Sequence, residues 1–387
     1  MNWPAIEYET LEWKPAGERI FTRAARKAPK SYEAAVVPRI ANLPADLRSR
    51  SLVEEATVAA ARFDATVASR IVPFAPLLLR SESVASSRIE QLTSSARKVL
   101  EAEVTGCGTG NAALIVANTR LMRAAVTGGE ATADGIVDMH RVLMEEPAPE
   151  IAGALRQEQV WIGGSDFHPG GALFVPPHHR HIEGLLGDLE EFMNRRDVPM
   201  LVQAAIAHAQ FETIHPFADG NGRTGRALVH VLLRERGLTT AAALPISAGL
   251  LGDLDAYFGA LDAYRNGDAE LIVDLFAQAA LDSVARGQWL AAELDAVRAE
   301  WEQMLSARSD ALAWQVLNLL VPRPVLTTSA VSAEFNVSAE TARNALERLE
   351  TDGIVVSAQL DKRQRAWRSP EVLALLDEFA ALGGRRG

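Results

Sequence analysis

The fold is decided by the stretch His215-Pro216-Phe217-Ala218-Asp219-Gly220-Asn221-Gly222-Arg223-Thr224-Gly225-Arg226, which lies between two segments of helical periodicity. Upstream, the apolar residues from Val202 to Ala209 recur at helical spacing, and Pro216 ends that helix because the residue before a proline is pushed out of helical geometry. Downstream, apolar residues resume the spacing until Gly237. The pattern predicts a helix, a short glycine loop and a second helix.

The glycine loop and the helix start after it suit an anion. Gly220 and Gly222 permit backbone conformations in which successive N–H groups converge, and the dipole of a helix N-terminus favours negative charge. Arg223 and Arg226 are three residues apart in the first turn, so both guanidinium groups can reach one polyanion. The sequence therefore predicts a phosphate cradle.

Two further side chains complete a site for phosphate-group transfer. Asp219 offers a hard carboxylate oxygen for a magnesium ion beside the phosphates, and His215 can take up a proton near neutral pH. Each feature alone has an ordinary explanation, since glycine turns, helix-ending histidines and surface arginines are common. Their occurrence together in one short stretch favours a site for phosphate-group transfer.

The whole stretch matches the pattern H-P-F-x-D/E-G-N-G-R-x-x-R, and in this the chain resembles the Fic family. The resemblance implies a protein adenylyltransferase, which moves AMP from ATP onto a hydroxyl side chain of a target protein. It implies that His215 deprotonates the incoming hydroxyl and that Asp219 holds Mg²⁺. Nucleotide binding would fall to the residues of the loop and the following helix, namely Gly220, Asn221, Gly222, Arg223 and Arg226.

A second segment, Ser86-Ser87-Arg88-Ile89-Glu90, resembles the inhibitory helix of Fic proteins, whose pattern is S/T-x-x-x-E-G/N. Gln91 replaces the final glycine or asparagine. The resemblance implies that Ser86 belongs to this helix and that Glu90 pairs with Arg226, which would keep ATP from binding productively. The alternative is a serine-capped surface helix with Glu90 facing solvent.

Length and composition limit the class of protein. The chain has 387 residues, of which 48% are hydrophobic and 6% aromatic, and its formal net charge is -11. The alanine- and leucine-rich balance favours helices, and the acidity argues against a chain that as a whole coats nucleic acid or a membrane. Cys107 is the single cysteine, the chain opens without a secretion signal, and the apolar run Ile71 to Leu79 is short of a membrane span. We expect a cytoplasmic protein that does not engage a membrane.

We expect a mainly α fold: a Fic-type helical core with a small β-hairpin flap, plus a C-terminal winged helix domain. Residues up to Arg50 read as an extended arm or a loosely structured lead-in. The predicted domains are 1–100 (an N-terminal helical region with the inhibitory segment around 86–91), 101–285 (the Fic catalytic core), 286–308 (a linking helix) and 309–387 (a winged helix-turn-helix domain).

The predicted flap pairs Val160–Ile162 with Leu173–Val175, and Pro176-Pro177 closes it. It resembles the family's flap, which would bind a target segment by main-chain pairing, although it could be only a structural hairpin. Tyr257 is a candidate contact to the nucleoside, with core packing as the preferred alternative.

His140 and the histidines at 178–181 have structural interpretations and no predicted catalytic or metal-binding role. His140 reads as a core-edge residue, and His178-His179-Arg180-His181 reads as a solvated helix start without zinc.

The C-terminal segment resembles a winged helix-turn-helix. A helix from Ser329 to Phe335 and a turn at Asn336-Val337 precede a helix capped by Ser338, and Lys362 to Arg368 would form a basic wing. Possible DNA contacts are Arg343, Asn344 and Arg348. From Arg323 onward nine basic and nine acidic residues leave the segment neutral, so DNA binding and protein contact stay equally open.

Three functions therefore stay in view. The first is AMP transfer, with self-modification and homodimerisation open. The second is removal of AMP, or transfer of another phosphate-containing group. The third is a DNA-binding regulator whose Fic core senses nucleotide.

Overall fold

The computed structural model describes residues 3–13, 29–43, 51–70, 74–106, 108–165, 167–240, 242–360 and 364–382. Helices dominate these residues, which confirms the expectation of a mainly α fold. Cys107, the start of the apolar run at 71–73 and the wing residues Lys362 and Arg363 lie outside them.

The elements up to the long eleventh helix form the larger part of the molecule. They are β1 (Glu7–Glu12), β2 (Ser31–Val36), α1 (Ser51–Ala68), α2 (Ala75–Ile89), α3 (Ala96–Thr105), α4 (Asn111–Thr127), α5 (Ala133–Met144), α6 (Ile182–Met193), α7 (Met200–Ile214), α8 (Asn221–Glu235), α9 (Ile246–Leu251), α10 (Leu254–Arg265) and α11 (Glu270–Met304).

A smaller C-terminal module follows. It consists of α12 (Leu312–Leu320), β3 (Val325–Thr327), α13 (Thr328–Phe335), α14 (Ala339–Thr351), β4 (Val356–Gln359), β5 (Arg365–Arg368) and α15 (Pro370–Leu382). Its sheet is antiparallel in the order β3-β5-β4. Asn336 adopts a left-handed conformation between α13 and α14, and the Ser338 hydroxyl caps α14 by accepting from the Thr341 N–H at 3.1 Å.

The N-terminal residues contain an ordered two-stranded ribbon, which corrects the expected loose lead-in. β1 and β2 pair antiparallel, with Glu7 opposite Val36 and Glu12 opposite Ser31. The ribbon is ordered because the side chains of Tyr32 and Ala34 pack in a small cluster against Val175. It therefore lies directly beside the predicted flap.

The centre of the molecule is the pair α7 and α8. Every residue from Leu201 to Ile214 is buried, so α7 is surrounded by protein on all sides. The two helices approach closely at Gly225, where a Cβ atom would lie 2.7 Å from Glu212 Oε1 and 2.8 Å from a ring carbon of Phe211. This packing fixes the position of the loop that joins the helices.

Helix α2 is an interior element, and the alternative of a serine-capped surface helix is wrong. It begins at Ala75, six residues before the first serine. Ser83 and Ser87 are fully buried, and the Asn118 amide of α4 donates to the Ser83 carbonyl at 2.9 Å and to the Ser87 hydroxyl at 3.0 Å. The serines thus bind α2 to the core.

Helix α11 is continuous over 35 residues. The predicted boundary between residues 285 and 286 falls inside it, because no proline interrupts the helix and Gly287 lets it pack against Phe63. The predicted linking helix is thus the second half of α11, which leads from the larger part into the C-terminal module.

The C-terminal module docks on α2 and α3. The Arg88 guanidinium of α2 donates to the Ala380 carbonyl of α15, and the Asp377 carboxylate accepts from the Ala96 N–H at 2.8 Å. Arg368 forms an ion pair of 2.8 Å with Glu101. Among the described residues we find no helix whose length and apolar character would let it cross a membrane.

Candidate active site

His215 stands at a forced turn at the end of α7. Its N–H donates to the Phe211 carbonyl at 2.9 Å, and its own backbone is left-handed, with φ 50° and ψ 62°. This conformation is uncommon for a residue other than glycine, and here Pro216 prevents the helix from continuing. The turn directs the loop 216–220 away from the helix axis.

The His215 imidazole is half-buried and neutral. Burial, together with the positive charges of Arg156 and Arg265, lowers its pKa to about 4. Its Nδ1 atom is buried and has no hydrogen-bond partner among the described residues. An imidazole that is neutral at pH 7 can accept a proton, as a general base must.

Arg156 holds the loop and the flap together. Its guanidinium, only 4% exposed, donates to the backbone carbonyls of His215 at 2.8 Å, Pro177 at 2.6 Å and Glu158 at 3.2 Å. No role of its own is predicted for Arg156 from the sequence. No local signal could reveal one, since its main partner is 59 residues away.

His140 supports the loop from below. It is fully buried, and its ring stacks on Phe217 with 3.7 Å between ring centroids. Nδ1 accepts from the Gly153 N–H at 3.1 Å, so Nε2 carries the hydrogen and donates to the Asp219 carbonyl at 3.0 Å. Burial lowers its pKa to about 4, which keeps it neutral. His140 is thus a core residue that positions the loop.

Asn221 closes the loop on itself. Its side-chain oxygen accepts from the Phe217 N–H and its amide donates to the Phe217 carbonyl, both at 2.9 Å. Gly220, with φ 78°, completes the tight turn in a conformation that other residues rarely adopt. These contacts aim the N-terminus of α8 at the site.

Arg223 is a buried cation with unused hydrogen-bond donors. Its side chain is 6% exposed, and neither Nε nor Nη1 has a hydrogen-bond partner among the described residues. The nearest carboxylate oxygen described, Asp219 Oδ2, is 3.8 Å from Nη2. Buried polar groups are normally satisfied, so this guanidinium at a helix N-terminus indicates an anion site.

Arg226 is bound by α2. Its Nε donates to the Ser86 hydroxyl and its Nη2 to the Ser86 carbonyl, both at 2.9 Å. Nη2 also donates to Glu90 Oε1 at 2.8 Å. Burial alone would raise the pKa of Glu90, but the Arg226 charge and hydrogen bond outweigh it and the pKa is lowered. The structure brings together Ser86, Glu90 and Arg226 as the resemblance implied.

The Glu90 carboxylate lies against the phosphate cradle itself. A Cβ atom on Gly222 would lie 2.1 Å from Glu90 Oε1, so the carboxylate touches the first turn of α8. Gly222 is therefore needed for this contact as well as for close approach of an anion. A carboxylate at that position takes the place and the charge that an anionic ligand would use.

Helix α7 carries two more buried groups beneath the loop. Burial raises the pKa of the Glu212 carboxyl to about 7, and its Oε1 has no hydrogen-bond partner in the described structure. His208 Nε2 bonds the Tyr257 hydroxyl at 2.8 Å, and Tyr257 is 1% exposed. Tyr257 thus has the environment of a core residue, and its contact with a nucleoside stays a prediction. Glu212 escaped the sequence analysis because its importance depends on burial.

The Asp219 carboxylate faces the open side of the loop. It is 68% exposed, and its Oδ1 accepts from the Gly220 N–H at 2.6 Å. Among the described residues no group of three or more His, Cys, Asp or Glu side chains is arranged to hold a metal ion. A magnesium ion in a phosphate-transfer site needs only one or two carboxylates, since phosphates and waters complete its shell, so one exposed carboxylate beside an anion cradle fits.

The predicted flap is looser than a regular hairpin. Ile162 and Phe174 form an isolated antiparallel bridge, with the Ile162 N–H donating to the Phe174 carbonyl and the Leu173 N–H to the Ile162 carbonyl, both at 2.8 Å. Left-handed Gly163 and Gly164 turn the chain directly after this bridge, which prevents a longer ladder. Leu173 is 87% exposed beside the bridge.

A family model and several curated proteins are similar to part of this chain. The model of the Fic/DOC family matches residues 130–233. "Protein adenylyltransferase fic-1" of Caenorhabditis elegans is 28% identical over 160 residues, which are 41% of this chain and 28% of that protein. "Protein adenylyltransferase Fic" of Drosophila erecta is 34% identical over 111 residues, 28% of this chain and 21% of that protein. The chain thus spans less than a third of these relatives.

A solved structure shares the fold. It is a Fic family protein from Desulfovibrio desulfuricans G20, with a TM-score of 0.54 and 20% identity over 84% of this chain and 97% of that chain. At this identity the likeness concerns the fold alone. The family model covers the flap, the loop and most of the helices on either side of the loop, so residues 130–233 of this chain are similar to the Fic domain of the Fic/DOC family.

Proposed function

We propose that this protein is an adenylyltransferase that moves AMP from ATP to a hydroxyl side chain of a target protein. The observation that carries the proposal is Arg223, a buried guanidinium with two unpartnered nitrogen atoms at the N-terminus of α8, close in the chain to the neutral imidazole of His215. The curated relatives, which are named as protein adenylyltransferases, support the same activity.

The nucleotide would bind at the start of α8. The N–H groups around Gly220 and Gly222 and the guanidinium of Arg223 would hold phosphate oxygens, while Arg226 would hold the end of the triphosphate once Glu90 has left. Asn221 would act by keeping the loop closed on Phe217. The predicted contact between Tyr257 and the nucleoside belongs to this proposal.

The proposal includes a magnesium ion, for which one residue of the loop is the candidate ligand. The exposed carboxylate of Asp219 would hold Mg²⁺ beside the phosphates, where the ion would neutralise negative charge as the bond to the leaving group breaks.

His215 would act as the general base. Its neutral imidazole takes the proton of the target hydroxyl, the hydroxyl oxygen forms a bond to the α-phosphorus of ATP, and the bond to pyrophosphate breaks. AMP is then joined to the target, and the proton remains on His215 until solvent removes it. Arg156 and His140 position the loop for this step through the His215 and Asp219 carbonyls.

Glu90 would act as a brake within the chain. It occupies Arg226 and lies against Gly222, so ATP could bind productively only after the carboxylate moves. The target segment would dock along the flap beside Ile162 and exposed Leu173. Self-modification and a homodimer stay open, and the cytoplasmic location remains the prediction drawn from the single cysteine.

The experiment follows label from ATP marked at the α-phosphate, with magnesium, into protein. We expect little incorporation by the natural chain, much more by Glu90→Gly, and none by the double variant Glu90→Gly with His215→Ala. Arg223→Gln in the Glu90→Gly background should weaken nucleotide binding, because it removes the unpartnered donors. A Glu90→Gly protein that binds nucleotide but labels neither itself nor a lysate would refute the proposal and would favour AMP removal.

The C-terminal module offers a second candidate, a winged helix that binds DNA. The left-handed turn at Asn336 sets α14 after α13, and Arg343 and Asn344 are exposed on α14, whereas Arg348 is tied to Asp352 at 2.9 Å. Binding of the chain to its own upstream DNA should fall with Arg343→Ala. Equal binding by that variant would leave protein contact as the better role for the module.

A further inference from the structure

A cavity of about 460 Å³ lies where the C-terminal module meets α2, apart from the candidate active site. It is bounded by α2, by the segment 93–95 with the start of α3, and by α15. Much of its wall is apolar, from residues such as Val84, Leu100 and Leu376. Pockets of this size and character hold small organic ligands.

One buried polar group beside the cavity is out of a ligand's reach. Ser81 is 7% exposed, and its hydroxyl oxygen is buried without a hydrogen-bond partner within the described chain. Because solvent does not reach this oxygen, a ligand in the cavity does not reach it either.

The charge in the wall favours an anionic group on the ligand. Arg80 is neutralised by Glu103 at 2.9 Å, and Asp377 is occupied by the Ala96 N–H. Arg88 is half-buried and donates to the Ala380 carbonyl, and among the described residues no carboxylate forms an ion pair with it. Its positive charge is therefore the one in the wall that a ligand can balance.

The cavity is lined by residues of α2, the helix that is followed directly by Glu90. Arg88 lies in the last turn of α2, two residues before Glu90, which is the cap residue at the end of that helix. A ligand that contacts both α2 and α15 binds more tightly to the conformation in which the two helices are in contact. It therefore shifts the equilibrium between this conformation and any conformation in which they are apart.

We propose that this cavity is a regulatory site for a compact, mainly apolar molecule with one anionic group, bound by the apolar wall and by Arg88. The ligand site stands on the cavity alone, whereas its regulatory role rests on the proposed function. Occupancy changes the mobility of the segment 86–91 and hence the release of Glu90 from Arg226.

The probe is 8-anilinonaphthalene-1-sulfonate, which has an apolar ring system and one sulfonate and fluoresces when it leaves water. We expect saturable binding to the full natural chain. Ala380→Trp, which fills the cavity from α15, should weaken binding at least tenfold. Its matched control is Ala374→Trp, on an exposed face of the same helix, which should bind like the natural chain.

Two smaller changes guard against a folding artefact. Arg88→Gln should weaken binding several-fold with an unchanged circular dichroism spectrum, whereas Ser81→Ala, which changes an oxygen that a ligand does not reach, should bind like the natural chain. Absence of saturable binding, or equal affinity in the Ala380→Trp and Ala374→Trp proteins, overturns the site.

Hydrogen exchange measures the regulatory role without relying on AMP transfer. The probe should change the exchange of amides 86–91 in the natural chain and leave it unchanged in Ala380→Trp. Binding of the probe with no change at 86–91 overturns the regulatory role and leaves the ligand site. Because neither readout measures transfer, failure of the proposed function would be seen separately.

Discussion

At the scale of single residues, two positions are held in unfavourable states. Glu212 is a buried carboxyl beneath the loop, and Gln91, which directly follows Glu90, has a positive φ of 60°. Both are positions where a small change of side chain gives a measurable result.

Glu212→Gln should remove a pH dependence of stability. Because burial raises the pKa of Glu212 from 4.5 to about 7, the folded state binds its proton more tightly than the unfolded state. Its contribution is fully present below pH 4.5 and is lost as pH rises through 7, by about 3 kcal/mol at most. Urea unfolding of both proteins from pH 4.5 to 8 should show the natural chain losing stability relative to the glutamine variant. Parallel curves would contradict the ionisation of Glu212 in this range.

Gln91→Gly should stabilise the protein by up to about 1 kcal/mol, because glycine adopts a left-handed backbone without the clash of a Cβ atom. The measurement is the urea midpoint at an unchanged slope. Gln315→Gly is the matched control: on the exposed side of α12 it should destabilise by about 1 kcal/mol. A loss of stability in both variants would refute strain at Gln91.

The glycine or asparagine that the family pattern has at position 91 is explained by this backbone, since both residues tolerate positive φ. The pattern around His215 likewise predicted which residues the structure brings together, because they are neighbours in the chain. Arg156 and Glu212 could not be predicted, since their roles depend on partners far away in sequence and on burial.

At the scale of elements, α2 is held from both sides. Its buried carboxylate Glu82 accepts from His230 of α8 and from the Ser247 N–H of α9, both at 2.9 Å, while Arg88 reaches α15. Helix α2 is therefore held in the core at its start and is in contact with the C-terminal module at its end.

Asp377→Ala combined with Arg88→Ala should loosen the end of α2. Removal of two contacts of α15, one with the start of α3 and one with α2, should speed the hydrogen exchange of amides 86–91 several-fold and raise label incorporation in the direction of Glu90→Gly. Glu378→Gln, on an exposed neighbouring position, is the control and should change neither. Unchanged exchange in the double variant would show that the core contacts of α2 suffice.

The start of a helix was predictable where the apolar periodicity and a capping residue indicate the same position, as they do at Ser338 before α14. The β1–β2 ribbon was not, because its strands are separated by a long insertion and are stabilised by contact with Val175. The continuity of α11 was missed because a change in charge along a helix does not end it.

At the scale of the whole molecule, one apolar core runs from Trp3 to Phe379 and includes residues of both parts. A continuous core makes the parts unfold together, whereas separate cores would not. The docked module thus contributes to the stability of the larger part of the molecule.

Leu346→Ala tests this cooperativity. Leu346 is fully buried in α14, and its truncation should cost about 2–5 kcal/mol. The loss should appear equally in the slowest-exchanging amides of α14 and of α7. Faster exchange confined to α14 would mean that the module unfolds alone.

The unbroken helix α11 gives the molecule a rotational register. One residue inserted into its solvent-facing stretch near residue 296 would turn everything after it by about 100° and advance it by about 1.5 Å. Helix α15 would then no longer meet α2, although every side chain of both helices would be unchanged. In such a chain the number of residues in α11 determines whether α15 contacts α2. Insertions and deletions in α11 therefore affect that contact as strongly as substitutions in the contact itself.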